Sequence, residues 1–184
     1  QDMGIQEQPM ESKIVLVPVD YNNGNCVRNT RAFLTQNAET FIDNFYRYNP
    51  TGDVQWRIHE DDVVITETIT NLAQVYNKLI PMRFADHAQP NEYYFALVHP
   101  CSGGVDGAGG QAPSTPGPTK GNGDARISAG IQYNGYYTYE VFTHELGHNQ
   151  GRPHSPCGEA AGPDPNYPQD DGTTGVYGFD VVQN

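Results

Sequence analysis

Two histidines and a glutamate have the types and the spacing of a metal site. His144 and His148 are four residues apart, and Glu145 follows the first of them. On a helix, residues four apart project from the same face, one turn from each other, so both imidazoles can bind one ion. Zinc accepts imidazole nitrogens at ~2.0–2.1 Å in four-coordinate sites, which makes it the expected cofactor. Glu145 can then face a zinc-bound water without binding the metal itself.

A third ligand is expected just after this helix. Gly151 can adopt the left-handed conformation that ends a helix, and Pro153 cannot continue one comfortably. The chain can therefore turn back and present His154 as the third imidazole, which leaves the fourth position for water. Zinc is inferred from the type of ligand, and other divalent metals also bind three histidines.

The reaction that this group of residues predicts is hydrolysis of a peptide bond. Zinc lowers the pKa of its bound water to about 7, Glu145 takes the proton, and the hydroxide attacks the carbonyl. The metal stabilises the oxyanion, and Glu145 returns a proton to the leaving amine. A surface helix with incidental histidines is the alternative, and the agreement of helix, glycine and third histidine argues against it.

Hydrophobic patterns predict the strands that must support this site. The β-branched apolar run at residues 14–21 predicts a buried strand, with an irregularity at Pro18. Alternating or continuous apolar runs predict further strands at residues 54–59, 93–99 and 126–133. The stretch between the last two is rich in Gly and Pro and is expected to be an exposed loop.

Helical periodicity predicts three helices. They cover residues 30–47, with Asn29 as N-cap, residues 70–84, bent or ended by Pro81, and residues 138–150, which carry the two histidines. The alternation of strands and helices predicts an α/β or α+β fold with a mostly parallel sheet.

The pattern His144-Glu145-x-x-His148-x-x-Gly151-x-x-His154 resembles the signature of the metzincin metallopeptidases. The predicted order of elements over residues 14–154 is also similar to the metzincin upper subdomain. The resemblance implies a secreted zinc endopeptidase, similar to secreted bacterial members, that cleaves extracellular proteins.

The same resemblance implies how the elements are arranged. The active-site helix would form the floor of a cleft, and two other helices would back the twisted sheet. A short antiparallel edge strand, expected within residues 103–110, would form the upper rim and pair with extended substrate. Residues 1–184 would form a single catalytic domain, with the upper subdomain at about 14–151 and the start of the lower one at 152–184.

The chain departs from the metzincin pattern after the third histidine. Metzincins carry a methionine-containing turn beneath the zinc, whereas Met3, Met10 and Met82 all precede His144. We therefore expect a truncated chain with an incomplete lower subdomain. A truncated or degenerate zinc-binding module without activity is the alternative. The intact Glu145 argues against it, because a pure binding site does not need a base.

The charge of the chain limits its partners. Its 184 residues include 22 acidic and 10 basic ones, for a net charge of −12. This field repels phosphate backbones and anionic membranes, and no apolar run approaches the ~18 residues of a spanning helix. Residues 1–13 lack the features of a signal peptide, so a secreted protein would already have lost that segment. The expected partner is a protein or peptide substrate, and the oligomeric state is not indicated.

The cysteines predict at most one disulfide within the chain. Cys26 and Cys101 each follow a predicted strand by a few residues, so they can pair if those strands are neighbours. Cys157 would be left over, with its partner in a missing part of the chain. No pair of cysteines has the spacing of a zinc site.

Three other groups of residues are weaker candidates. His59, His87 and His99 lack a partner at ligand spacing and are expected to be structural or solvated. A third ligand of gluzincin type could only be Glu159, which lies in a loop sequence. Four aspartates could bind calcium, although a solvated acidic loop is the simpler interpretation: Asp164, Asp170, Asp171 and Asp180.

Overall fold

The structure is a computed structural model that describes residues 11–48, 53–102, 104–113, 125–158 and 161–173. Its strands are β1 (Glu11–Asn22), β2 (Val27–Asn29), β3 (Asp53–Ile58), β4 (Val63–Ile65), β5 (Glu92–Val98), β6 (Gly110–Gln111) and β7 (Ile127–Ile131). Its helices are α1 (Arg31–Tyr48), α2 (Ala73–Tyr76), α3 (Leu79–Ala85) and α4 (Tyr137–Asn149).

The strands form one sheet in which β1 is central. The order along the sheet is β2-β1-β5-β7-β6, and β3 and β4 also pair with β1. The pairings of β1 with β3, β4 and β5, and of β5 with β7, are parallel, while β2 and β6 pair antiparallel. The predicted α/β fold with a mostly parallel sheet is therefore confirmed, and it is consistent with a metzincin-like upper subdomain.

Pro18 marks the point at which β1 changes partners. The strand pairs with β3 up to Leu16 and with β5 up to Pro18, and then with β4 from Val19 and with β2 from Asp20. Proline has no N–H to donate, so an interruption of the ladder is expected at this position. The predicted irregularity is confirmed, although β2 and β4 themselves were not predicted.

Side chains alternate between the two faces of the sheet and build two cores. Ile14 and Leu16 of β1 pack on the face that α1 and α4 cover. Val15 and Val17 point to the opposite face, where α2 and α3 supply apolar side chains. Helices thus cover both faces, which explains why β1 and β5 are nearly continuous apolar runs.

Helix α1 agrees with its prediction to within one residue at each end. Its buried positions include Leu34, Phe41 and Phe45, which recur at helical spacing. The N-cap position belongs to Thr30, whose carbonyl accepts the first helical hydrogen bond from the Leu34 N–H over 3.0 Å, so the prediction of Asn29 as N-cap is wrong by one residue. The Asn29 side chain still accepts a hydrogen bond from the Arg31 N–H over 2.8 Å.

The prediction of one helix at residues 70–84 is wrong, because two short helices occupy this stretch. Helix α2 ends at Tyr76, and α3 starts at Leu79. In an unbroken helix the ring of Pro81 would clash with the carbonyl of Asn77. Proline is tolerated in the first turn of a helix, and Pro81 lies in the first turn of α3 rather than at a helix end.

Cys26 and Cys101 form a disulfide, with their Cα atoms 5.9 Å apart. They follow β1 and β5, and these two strands are neighbours in the sheet, so the condition for the predicted pairing is met. Cys157 is a free, exposed thiol among the described residues. No helix within the described ranges is long and apolar enough to cross a membrane.

Candidate active site

Helix α4 is fixed to the rest of the molecule by its apolar face. Phe142 is fully buried and makes edge-to-face contacts with Phe41 of α1 and Phe95 of β5, at centroid distances of 5.1 and 5.0 Å. Leu146 is buried one turn further along in the same core. This packing sets the rotation of α4 about its axis and leaves His144 and His148 outside the core.

The ring nitrogens of the three predicted histidines converge. The Nε2 atoms of His144 and His148 are 3.0 Å apart, and the Nε2 atom of His154 is 3.2 and 3.1 Å from them. A tetrahedral ion with bonds of ~2.0–2.1 Å separates its nitrogen ligands by roughly 3.3–3.4 Å. The triangle of nitrogens therefore nearly fits such an ion, and the three imidazoles could hold one.

Backbone carbonyls set the tautomers of two of these rings. Nδ1 of His148 lies 2.7 Å from the carbonyl oxygen of Arg152, and Nδ1 of His154 lies 2.5 Å from that of Ala161. A carbonyl only accepts hydrogen bonds, so each Nδ1 carries the proton and donates. The lone pair of each ring is then on Nε2, the atom that points to the centre of the group.

Gly151 turns the chain so that His154 can reach the two helical histidines. Its φ of 87° is in the left-handed region, which costs a side-chain-bearing residue energy. The N–H of Gly151 bonds to the carbonyl of His148 (2.9 Å), and that of Arg152 to the carbonyl of Gly147 (3.1 Å). These two bonds form a Schellman motif, so the predicted role of Gly151 is confirmed.

The environment keeps the helical histidines neutral. Burial, with smaller effects from the neighbouring imidazoles, lowers the pKa of His144 to about 4. Burial also lowers the pKa of His148, and the hydrogen bond to the Arg152 carbonyl opposes this shift. Neutral imidazole is the form that binds metals, so both rings are in the ligand form at neutral pH.

Glu145 is buried beside the three imidazoles, with 5% of its surface exposed. Burial raises the pKa of its carboxyl to about 8, and a hydrogen bond from the Ala112 backbone N–H opposes the rise. Among the described residues its Oε2 atom has no hydrogen-bonding partner. One side of the carboxylate is thus held by the backbone next to β6, and the other remains available for proton transfer.

Gly110 allows the edge strand to approach this carboxylate. A Cβ atom at Gly110 would lie 2.6 Å from both Oε1 of Glu145 and Cγ1 of Val141. Strand β6 therefore packs on α4 as closely as a backbone without a side chain permits. The edge strand was expected within residues 103–110; it overlaps that range only at Gly110 and continues to Gln111.

The tyrosines before and at the start of α4 pack beside the helix. Tyr139 contacts Phe41 edge to face, and Tyr136 contacts Tyr139. Tyr133 and Tyr137 form a further pair with centroids 5.0 Å apart, and Tyr137 lines a pocket next to Glu145.

The remaining histidines have structural surroundings. His59 is buried, and its Nε2 atom lies 3.1 Å from Oδ2 of Asp86. Nδ1 of His99 accepts a hydrogen bond from the Cys101 N–H over 3.2 Å. His87 is exposed with a φ of 52°. In the described part of the chain none of the three belongs to a group that could hold a metal.

The other candidate ligands do not form a second group among the described residues. Asp164 and Asp171 each accept a backbone N–H two residues further along, from Asn166 and Thr173. Hydrogen bonding to Thr173 lowers the pKa of Asp171. Glu159 and Asp180 lie outside the described residues, so calcium binding stays a prediction.

The sequence did not indicate two contacts that shape the site. Ala112 and Gly110 lie far from Glu145 along the chain, and only the antiparallel pairing of β6 with β7 brings them to the helix. Asn44 of α1 is also buried; it donates hydrogen bonds to the Tyr139 carbonyl and to Thr143 Oγ1, both over 2.8 Å. For the close packing of β6 on α4, the one signal in the sequence was the pair of glycines, Gly109 and Gly110, before Gln111.

Comparison with known proteins identifies the family. A family model described as Peptidase M66 matches residues 59–184, more than half of the chain. The matched region includes the three converging histidines, Glu145 and strand β6. No curated protein matches the chain. The chain belongs to the peptidase M66 family.

Proposed function

We propose that this protein is a zinc-dependent endopeptidase of metzincin type, with His144, His148 and His154 as ligands and Glu145 as general base. The observation that supports this most strongly is the convergence of three Nε2 atoms within 3.2 Å of one another, beside a buried carboxylate. Membership of a peptidase family supplies the reaction class. A zinc ion held there would supply Lewis acidity, for a coordinated water and for the carbonyl of the substrate.

Glu145 performs the proton transfers in this proposal. Its carboxylate follows His144 on the same helix, and the Ala112 N–H orients it. The unpaired Oε2 atom accepts a proton from the attacking water and later gives it to the leaving amine. A carboxyl whose pKa lies near the working pH suits both steps, and burial moves the pKa of Glu145 in that direction.

Strand β6 supplies the place for the substrate backbone. It pairs with β7 along one edge, and its other edge has no partner among the described strands. An extended peptide can add to such an edge through main-chain hydrogen bonds. Because Gly110 contacts Glu145, a peptide on this edge would run next to the general base.

We also propose that the protein acts outside the cell. The disulfide between Cys26 and Cys101 is typical of an oxidising compartment. The net charge of −12 disfavours nucleic acid as a partner, in keeping with a protein substrate.

Replacement of Glu145 by glutamine tests the mechanism. E145Q keeps the size of the side chain and removes the base, so we expect metal binding to be retained and hydrolysis to fall by at least about 10²-fold. Metal content and cleavage of a quenched peptide library measure the two effects. The matched control is E39Q, at an exposed carboxylate of α1, which should change neither.

Two outcomes would reject parts of the proposal. Hydrolysis that survives E145Q would show that Glu145 is not the base. Metal binding without any hydrolysis by the unaltered chain would favour the alternative function, a zinc-binding module that does not cleave.

A further inference from the structure

A pocket of about 290 Å³ lies between strand β6 and the first turns of helix α4. This volume is at the lower limit of ligand pockets, and it accommodates one long side chain rather than a larger molecule. The pocket opens onto the proposed catalytic group, so its occupant would belong to a residue next to the bond that is cleaved. The lining residues are Gly109, Gly110, Tyr137, Glu140, Val141, His144 and Glu145.

The wall of this pocket combines the apolar surfaces of Val141 and Tyr137 with the polar groups of Glu140, His144 and Glu145. Val141 is buried at its base, and the ring of Tyr137 forms an exposed side. Glu140 is exposed, and within the described ranges no Lys or Arg forms an ion pair with its carboxylate. The carboxylate of Glu145 already accepts a hydrogen bond from the Ala112 N–H, and in the proposed function it acts as the general base. Glu140 is therefore the acidic group available to a side chain in the pocket.

We propose that this pocket selects Lys or Arg at one of the two residues that flank the cleaved bond, and that Glu140 determines the preference. The inference rests on the proposed function, since it names the substrate class of the same site. A long basic side chain buries its methylene stem on apolar surface and keeps its charged end at a polar partner. Val141 and Tyr137 offer the apolar surface, and Glu140 offers the partner.

The charge of the whole chain acts in the same direction. A net charge of −12 attracts cationic peptides and raises their local concentration. An acidic side chain in the pocket would instead approach both Glu140 and Glu145. The aromatic ring of Tyr137, which lines the pocket, adds a favourable surface for a cation.

Glu140 also has a structural role, which the test must separate from its role in specificity. It lies in the first turn of α4, where a negative charge interacts favourably with the helix dipole. Loss of that interaction would reduce the cleavage of all peptides by the same factor. Loss of a specificity contact would change the ratio between basic and neutral peptides.

The experiment compares two quenched peptides that differ at one position flanking the cleaved bond, with Lys in one and norleucine in the other. Both flanking positions are tested in turn. At one of them we expect the unaltered protein to prefer Lys in kcat/KM by about 10- to 100-fold, the range of a hydrogen bond to a charged group. E140Q should bring this ratio close to unity, E140K should favour a Glu peptide, and E39Q should keep the original preference.

A binding measurement separates failure of this inference from failure of the proposed function. In E145Q, fluorescence anisotropy with the same peptides reports binding without hydrolysis, and E140Q/E145Q is the comparison. Tighter binding of the Lys peptide that disappears with E140Q supports the inference even if no variant cleaves. Three outcomes would overturn the inference. The Lys and norleucine peptides could be bound or cleaved equally well, neither peptide could bind, or a preference for Lys could survive E140Q.

Discussion

At the scale of single residues, the geometry of the site depends on which ring nitrogen of a histidine carries the proton and on the missing side chain of one glycine. The carbonyls of Arg152 and Ala161 hold the protons of His148 and His154 on Nδ1, which leaves Nε2 free to bind a metal. At Gly110 the missing Cβ lets β6 lie against Glu145. The residues that do the proposed chemistry are thus oriented by backbone groups, which point mutations of neighbouring side chains would leave in place.

Gly110 provides a prediction at this scale. In G110A the new methyl group would lie 2.6 Å from Oε1 of Glu145, so the carboxylate or the strand must shift. A displacement of about 1 Å at a catalytic group lowers rates by about 10²-fold. We expect peptide hydrolysis by G110A to fall by this factor while metal content is unchanged. The control is G104A, because a Cβ at Gly104 meets no atom within 4 Å.

Equal activity of G110A and G104A would contradict this account of Gly110. Loss of metal from G110A would also contradict it, since the atoms nearest to a Cβ at Gly110 belong to Glu145 and Val141 rather than to an imidazole.

The sequence predicted that the three histidines of the candidate site would converge, but it did not predict the contacts that surround them. The spacing of His144, His148, Gly151 and His154 is local, and helix geometry with one left-handed residue determines where those side chains go. The contact between Ala112 and Glu145 depends on sheet pairing between distant segments. No periodicity within either segment encodes that contact.

At the scale of elements, helix α4 is held by α1 through polar as well as apolar contacts. Asn44 is 4% exposed, donates to the Tyr139 carbonyl and Thr143 Oγ1, and accepts from the Tyr136 hydroxyl. Thr143 immediately precedes His144. The amide of Asn44 therefore ties the histidine-bearing turn of α4 to α1.

Removal of this amide should lower the stability of the protein. N44A leaves the buried Thr143 Oγ1 without the amide that donates to it, and a buried polar group in that state costs about 1–3 kcal/mol. We expect the free energy of unfolding, measured with urea, to decrease by that amount. T40A, at an exposed position of the same helix, is the control and should change it by less than ~0.5 kcal/mol. A decrease for N44A no larger than for T40A would show that the contact contributes nothing.

Elements with a long periodic pattern were predictable, and short ones were not. Helices α1 and α4 and strands β1 and β5 agree with their predictions to within a few residues. Strands β2 and β4 have three residues each, too few for a pattern to be distinguished from a loop. The break between α2 and α3 was missed because the apolar spacing continues across it, while Pro81 prevents a continuous helix.

At the scale of the whole molecule, the disulfide joins two segments that are distant in sequence and follow neighbouring strands of the sheet. Cys26 and Cys101 are 75 residues apart in sequence and connect the segments that follow β1 and β5. Closing a loop of this length restricts the unfolded chain and stabilises the folded protein by typically about 2–4 kcal/mol. The bridge therefore stabilises the strands that support α4 rather than the site directly.

The disulfide gives a prediction with an internal control. The double variant C26S/C101S should lose about 2–4 kcal/mol in its free energy of unfolding, whereas C157S should lose little, because Cys157 is a free thiol. Urea denaturation of the metal-free proteins measures both. If C157S were as destabilised as the double variant, the pairing of cysteines would have to be revised.

The measurement that tests the central claim most directly is the zinc content of the purified protein, combined with peptide cleavage before and after a chelator. The convergence of His144, His148 and His154 predicts one zinc per chain, cleavage that stops when the chelator removes it, and recovery when zinc is restored. The variant H148A should bind no zinc and cleave nothing. Absence of zinc under metal-replete conditions, or cleavage that continues in the metal-free protein, would contradict the account.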